Sequence, residues 1–319
     1  MITIKRFKHT KPEYKAFADI RNAIWLDMPR SVAELKHNDD TWHEDKLFGR
    51  VLAIQDGRYV AVGNYGEPGW SAEKGRYFIH IMVHPDHHNQ GVGGMVFDHI
   101  LEDLKPRNPK VIAAETREDL DYSIRFLEKR EFELKQRDAI SKLDLEAFQP
   151  NGLEKSFDKV KASGIEIHTL AELQTTDSKW LEKMYDFDKE VAPDVPTPSP
   201  VQLPSIEQYE KDVFSGPNFV PQAHFVAIEG GQYVGYSGLH TRESDTETME
   251  TGFSGVRRSH RRKGICTALK LCAIQFAKDY GAKSIITGNE ENNPMYQLNL
   301  QLGYKPEPAW LNFEKQIQT

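Results

Sequence analysis

Two cysteines in 319 residues, no long apolar run and no surplus of positive charge set the first limits on this chain. Cys266 and Cys272 fall in one predicted helix, so they are expected as free thiols in a reducing compartment rather than as a disulfide. No stretch approaches the roughly 20 apolar residues that a spanning helix needs. Met1-Ile2-Thr3-Ile4-Lys5-Arg6 has no signal-peptide pattern, and the expectation is a cytoplasmic protein with no membrane partner. The net charge of −7 argues against a dedicated nucleic-acid binder. His80, His84, His87 and His88 cluster but form no His-x-x-x-His pair with a carboxylate motif, so no metal is expected. The glycine-rich loops do not continue as Gly-Lys-Ser/Thr and lack the three-glycine dinucleotide spacing, which excludes the usual P-loop and Rossmann fingerprints. What is present is a 39% hydrophobic and 28% charged composition, enough for packed cores and a solvated surface.

One glycine loop occurs twice. Val83-His84-Pro85-Asp86-His87-His88-Asn89-Gln90-Gly91-Val92-Gly93-Gly94 returns as Val256-Arg257-Arg258-Ser259-His260-Arg261-Arg262-Lys263-Gly264-Ile265-Cys266-Thr267. Gly91 to Gly264 and Val83 to Val256 are offsets of 173, Ala53–Val60 matches Ala227–Val234 at 174, and Phe132 to Tyr304 is 172. An offset this steady marks an internal repeat whose unit is far too long for a solenoid. Two copies of one domain follow: residues 1–149, a linker at 150–164 opened by Phe148-Gln149-Pro150-Asn151-Gly152, and residues 165–319.

The pattern predicts strands at Ile2–Phe7, Val51–Ile54, Tyr59–Tyr65 and Tyr77–Val83, and helices at Pro12–Leu26, Gly93–Leu104 and Tyr122–Lys129. Asp56-Gly57 is a hairpin signal, and Ser31-Val32-Ala33-Glu34 is a capping box. The second half repeats this order, from strand Ile165–Leu170 through helices Ser178–Val191 and Ser205–Phe214 to helix Ile265–Tyr280. Alternate prolines in Ala192–Pro200 lack donors and force extended backbone, so that stretch reads as a non-helical loop.

A strand that bends through small residues into a helix leaves backbone N–H groups unpaired and aimed one way, a ready site for phosphate. Arg257, Arg258, Arg261, Arg262 and Lys263 crowd the second loop and read as a focused anion site in an acidic chain. The order strand, glycine loop, helix, strand, helix, then Leu302-Gly303-Tyr304, resembles the GNAT N-acetyltransferase superfamily, and the doubling is similar to its tandem members. The resemblance implies an α/β fold of two tandem GNAT-like domains, each a mostly antiparallel central sheet flanked by helices. The family loop reads Arg or Gln, two residues, Gly, one residue, Gly or Ala. Arg261 and Gly264 match it, with Cys266 at the small position; Gly91 and Gly93 match, with His88 in place of Arg or Gln.

The resemblance further implies acetyl-CoA as cofactor. Its pyrophosphate would lie on Gly91, Val92, Gly93 and Gly94, or on Gly264, Ile265, Cys266 and Thr267, beside Arg262. The pantetheine would lie in a slot along Ile81 to Val83 and Ser254 to Val256. A small-molecule amine would attack the thioester directly, in a monomer or homodimer, once a base removed its proton. Simple alternation puts Glu250, Gly252 and Ser254 on one face of their strand, so Glu250 is the base candidate of the second half and His80 that of the first. Leu127 and Asn299 stand where many relatives carry a tyrosine acid, leaving Tyr296 as a substitute. Asn292 and Asn299 resemble residues that meet the pantetheine arm in some tandem members. Against the transferase stands an acyl-CoA-binding or sensing module without turnover.

Overall fold

The computed structural model describes residues 1–317. The elements run β1 (Ile2–Arg6), α1 (Lys11–Ile24), α2 (Val32–Asp40), β2 (Phe48–Gln55), β3 (Arg58–Gly66), β4 (Arg76–Val83), α3 (Val92–Leu104), β5 (Val111–Arg117), α4 (Asp121–Glu128) and β6 (Glu133–Asp144). They continue with α5 (Lys155–Ala162), β7 (Glu166–Thr169), α6 (Leu170–Thr176), α7 (Trp180–Val191), α8 (Ile206–Phe214), β8 (Phe219–Glu229), β9 (Gln232–His240), β10 (Thr248–Val256), α9 (Ile265–Tyr280), β11 (Ser284–Glu290), α10 (Pro294–Gln301) and β12 (Lys305–Gln316).

The chain divides into two compact units, and the division is not the one drawn between the sequence halves. Unit 1 holds Met1–Gln136, Pro198–Gln202 and the residues from Trp310; unit 2 holds Arg137–Thr197 and Leu203–Ala309. Hydrogen bonding is the reason. In unit 1, β5 takes the antiparallel partner Trp310–Gln316 of β12. In unit 2, β11 takes Asp138–Asp144 of β6. The strand orders are β1-β2-β3-β4-β5-β12 in unit 1 and β7-β8-β9-β10-β11-β6 in unit 2, mixed sheets with one parallel pair each.

Alternation decides what each sheet face buries. Val51, Val60, Tyr65 and Ile79 pack on Val92, Val96, Ile100 and Leu104 of α3, closed by Leu311 and Phe313 of β12. Their neighbours Leu52 and Val62 point the other way, onto Phe7, Tyr14, Phe17 and Ile20. In unit 2, Val234, Val256, Ile265, Ala268 and Leu269 form the corresponding core under α9. Met249 and Ile285 continue it with Ile274, Leu302 and Tyr304.

Local signals read from sequence hold where side chain and backbone close a short circuit. Ser31 Oγ accepts from Glu34 N at 3.1 Å, and Glu34 Oε2 accepts from Ser31 N at 2.7 Å. Asp56 and Gly57 turn the β2–β3 hairpin with φ of 49° and 78°. The 150–164 segment is not a plain linker, because α5 lays Val160 into the core beside Leu269. Ala192–Asp194 forms one 3-10 turn inside the proline-rich stretch, whose Pro198–Gln202 portion belongs to unit 1 through the Ser71–Val201 bridge. The helix α6 falls between the predicted strand Ile165–Leu170 and the predicted helix Ser178–Val191, a stretch the pattern leaves unassigned although Thr169 and Glu172 form a capping box that signals a helix.

The drift of the repeat offset also has a structural cause. The connection from β3 to β4, residues 67–75, is two residues longer than its counterpart 241–247, which lowers the offset from 174 to 172. A register shift between Thr251 and Ser254 inserts one residue into β10 and restores 173; β4 carries no such shift.

Candidate active site

Both glycine loops fold identically where it matters. Each strand ends in a valine, passes a short 3-10 turn, and enters its helix through a glycine in the left-handed region: Gly91 at φ 80° and Gly264 at φ 82°. The preceding Asn89 and Arg262 are left-handed too, at 58° and 64°. His88 Nε2 bonds the Val83 carbonyl at 2.9 Å, and Arg261 Nε donates to the Val256 carbonyl at 3.2 Å. His88 therefore does the bracing that Arg261 does, which accounts for its place in the motif. Neither helix has a side-chain cap or an acid in its first turn. The first intrahelical bonds are Met95 N to Gly91 O and Ala268 N to Gly264 O, so the N–H groups of Val92, Gly93 and Gly94, and of Ile265, Cys266 and Thr267, precede the ladder. These are the donor sets that a diphosphate needs, and the residues present fit one.

The two loops differ in their surroundings. A Cβ on Gly91 would meet nothing within 4 Å, whereas one on Gly264 would meet Ser156 of α5 at 3.4 Å. The basic cluster of the second loop is largely committed to acids. Buried Arg257 donates to the Tyr233 carbonyl at 2.7 Å and pairs with Asp186 at 2.8 Å and with Glu190. Lys263 pairs with Glu229 at 3.5 Å, and Arg258 and Arg261 both hold Asp194. The expected focused anion site thus reduces to Arg258, Arg261 and Arg262, with Asp194 already set on the first two. The Arg258 and Arg261 guanidinium groups hold the Asp194 carboxyl down at about 2.

Next to each loop the sheet parts. β4 pairs with β5 only from Arg76–Val111 to Phe78–Ala113, and β10 with β11 only from Thr248–Ser284 to Glu250–Ile286. Beyond those rungs lie His80, Ile81 and Val83 in unit 1 and Gly252, Ser254 and Val256 in unit 2. The bulge overturns simple alternation: Ser254 faces Ser237, Oγ to Oγ 2.8 Å, while Phe253 stacks near Tyr236 on the opposite face. Ser254 is not on the face of Glu250. Bulges re-aim side chains in this way beside active sites.

His80 Nε2 lies 3.4 Å from Glu115 of β5. Glu250 accepts from Arg242 Nε at 3.3 Å and Nη2 at 3.2 Å. It corresponds in register to Phe78, the last parallel rung of unit 1, and not to His80. Asn292 is tied to Glu290 at 2.8 Å, and buried Asn299 donates to Asn289 Oδ1 at 2.6 Å with its own Oδ1 unpartnered. Tyr296 sits half-buried on α10, three residues before Asn299 and so on a neighbouring part of the helix surface. The histidines of the first loop go to separate duties, His87 to Gln55 at 3.2 Å and His88 to Val83. Among the described residues no group of three or more His, Cys, Asp or Glu could hold a metal.

Sequence reading missed a buried polar cluster in unit 2. Tyr209 Oη donates to Asp188 Oδ2 at 2.6 Å, and His224 Nδ1 lies 2.5 Å from Tyr236 Oη. Burial pushes Asp188 up to about 6 and His224 down to about 3. In unit 1 the register position of His224 is taken by Arg50, which holds Asp39 with two bonds of 2.6 and 2.9 Å and Asn64 with a third. The signal available in sequence was the repeat itself, where aligned positions change from Arg to His.

Comparison with known proteins fits this geometry. The acetyltransferase (GNAT) family model matches residues 16–132 and again 181–304. A tandem GNAT protein from the clavulanic acid biosynthesis pathway superposes with TM-score 0.77 at 15% identity, over 100% of this chain and 99% of that one. A GCN5-related N-acetyltransferase from Sphaerobacter thermophilus gives 0.70 at 15%, over 100% and 96%. The N-myristoyltransferase of Saccharomyces cerevisiae with bound myristoyl-CoA gives 0.62 at 9%, over 98% and 78%. At these identities the likeness is one of fold. No curated protein matches the chain. With two stretches fitting one family model, and each fitted stretch carrying the loop and the parted strands, the chain belongs to the acetyltransferase (GNAT) family and carries its fold twice in tandem.

Proposed function

We propose that the protein transfers an acetyl group from acetyl-CoA to a primary amine of a small molecule, by direct attack within a ternary complex. The observation that carries this reading is the pair of uncapped helix starts behind left-handed glycines, each beside a strand that has left its parallel neighbour. The pyrophosphate would take the N–H groups at Gly91–Gly94 or Gly264–Thr267. The pantetheine would run along the freed edge at Ile81 and Val83 or Ser254 and Val256, where peptide-like groups can bond to backbone. A backbone N–H there would stabilise the thioester oxyanion. Glu250, fixed by Arg242, would attract the acceptor's ammonium, and Tyr296 would protonate the departing thiolate. Unit 2 is the better catalyst on this reading, because its polar cluster leaves Asp188 Oδ1 and His224 Nε2 unpartnered, where unit 1 has a closed ion pair at Arg50.

The test is thiol release from acetyl-CoA with a panel of polyamines, aminoglycosides and amino acids. Release that depends on one class of amine is expected. Coenzyme A binding without release for any acceptor would favour the acyl-CoA sensor instead.

Asp194 gives a second expected result. Its carboxylate lies on two of the arginines beside the second loop, so it competes with any incoming phosphate for the same charge. Asp194→Asn is expected to tighten coenzyme A binding to unit 2 several-fold at low salt, with the gain fading in 1 M NaCl, where the screening length falls to about 3 Å. Isothermal titration at two salt concentrations decides; weaker binding in the variant would mean that Asp194 organises the arginines instead of competing for them.

A further inference from the structure

The two units place an imidazole over the same rung by different means. In unit 1 it is His80, two residues past Phe78, where the parallel pairing ends. In unit 2 the equivalent residue, two past Glu250, is Gly252, which has no side chain. The space is filled from the neighbouring strand: a Cβ on Gly252 would lie 2.5 Å from His240 Nε2. His240 is the β9 residue paired with Glu250, and its unit 1 counterpart, paired with Phe78, is Gly66. Histidine and glycine have exchanged strands while the ring has kept its place at the mouth of the slot.

We propose that His240, and not Glu250, takes the proton from the acceptor amine in unit 2; this rests on the transferase reading above. His240 is half-buried. Its ring is held edge-on to His224, centroids 5.0 Å apart at 79°, with Phe219 at 6.4 Å. His224 is fixed in turn by Tyr236, and behind them α7 and α8 contribute Asp188 and Tyr209, bonded to each other. From β10 the ring faces Glu250, whose carboxylate is shared with the Arg242 guanidinium. Burial keeps His224 uncharged, so a positive charge taken up by His240 meets no cation on that side. Glu250 is left to hold the ammonium.

The step balances as follows. The bound ammonium gives one proton to the neutral imidazole of His240, and the freed nitrogen lone pair attacks the thioester carbonyl, forming the C–N bond. The tetrahedral intermediate expels the thiolate, breaking C–S. The second nitrogen proton ends on the sulfur, and His240 returns its proton to solvent. His240 is the catalytic residue; His224 and Tyr236 act through it as positioning residues.

His240→Asn and His240→Gln test the assignment with the full chain. Both are expected to lower kcat/KM by about 10²-fold or more, to leave the KM for acetyl-CoA unchanged, and to abolish the acidic limb of the pH profile that an imidazole produces. Glu250→Gln is expected to raise the acceptor KM with that limb retained. If His240 variants stay within twofold of wild type, or if Glu250→Gln removes the limb, the inference fails. A readout independent of turnover is the ring signal of His240 in ¹³C-histidine-labelled protein, identified by its loss in His240→Asn. Saturating coenzyme A should shift it, and an unmoved signal would overturn the placement. A shift without thiol release from wild type would refute the transferase reading while upholding an imidazole at the thioester site.

Discussion

Gly264→Glu is expected to remove coenzyme A binding from unit 2, by at least 100-fold in affinity or about 2.7 kcal/mol. Two effects add. At φ 82° any L-residue pays about 1–2 kcal/mol for a left-handed backbone. More important, a carboxylate would stand at the helix start, where the unpaired N–H groups of Ile265, Cys266 and Thr267 lead into α9, and would repel a diphosphate at that site. Gly264→Ala separates the two effects, since it carries the strain without the charge and is expected to lower thermal stability while retaining much of the binding. Gly91→Glu is the matching change in unit 1, where a Cβ meets open space. Titration calorimetry should show Gly264→Glu lowering the number of sites per chain by one. An unchanged stoichiometry would refute unit 2 as a cofactor site.

Ending the chain after Ala309 should unfold unit 1 and spare unit 2. The lost segment supplies Leu311 and Phe313 to the core under α3 and the whole antiparallel partner of β5. Burying Phe313 alone is worth about 3–5 kcal/mol against alanine. Losing Leu311 adds about 2–5 kcal/mol, and truncation also strips Glu314, 2.7 Å away, from the buried Arg76, which keeps its bond to Glu73 at 2.6 Å. Together these approach the whole stability of an ordinary domain, about 5–15 kcal/mol. Hydrogen exchange should show Val92–Leu104 losing protection while Ile265–Tyr280 keeps it. The reverse pattern would support the division at 149 and 165 drawn from the repeats.

That contrast shows which parts of the protein were legible. The glycine loops could be read because their geometry is local: a glycine that must be left-handed, a brace three residues earlier and a helix start two turns long all sit within a dozen residues. The Ser31 and Asp56-Gly57 signals are legible for the same reason. The α6 helix carried an equally local mark in Thr169 and Glu172, obscured by the strand pattern running into it. Glu250 and His80 lie 170 residues apart, two short of the 172 that relates Glu250 to Phe78, so they are not counterparts. The bulge between Thr251 and Ser254 is what moved Ser254 off the face of Glu250, and nothing in a single strand announces a bulge that shows only against its neighbour. His240 escaped notice because its ring serves a rung on another strand, a contact between residues twelve apart in sequence but adjacent in the sheet.

By itself the sequence determined the duplication, the two uncapped helix starts behind left-handed glycines, and the alternating faces that build each core, since these follow from spacing and from φ preferences within a few residues. Tertiary structure decided which strand completes which sheet, that three arginines of the second loop are held by acids, and which imidazole stands at each parted rung. Those outcomes depend on hydrogen-bond partners and ion pairs drawn from remote stretches of chain, where the deciding energy lies in pairing and burial rather than in any residue's own preference.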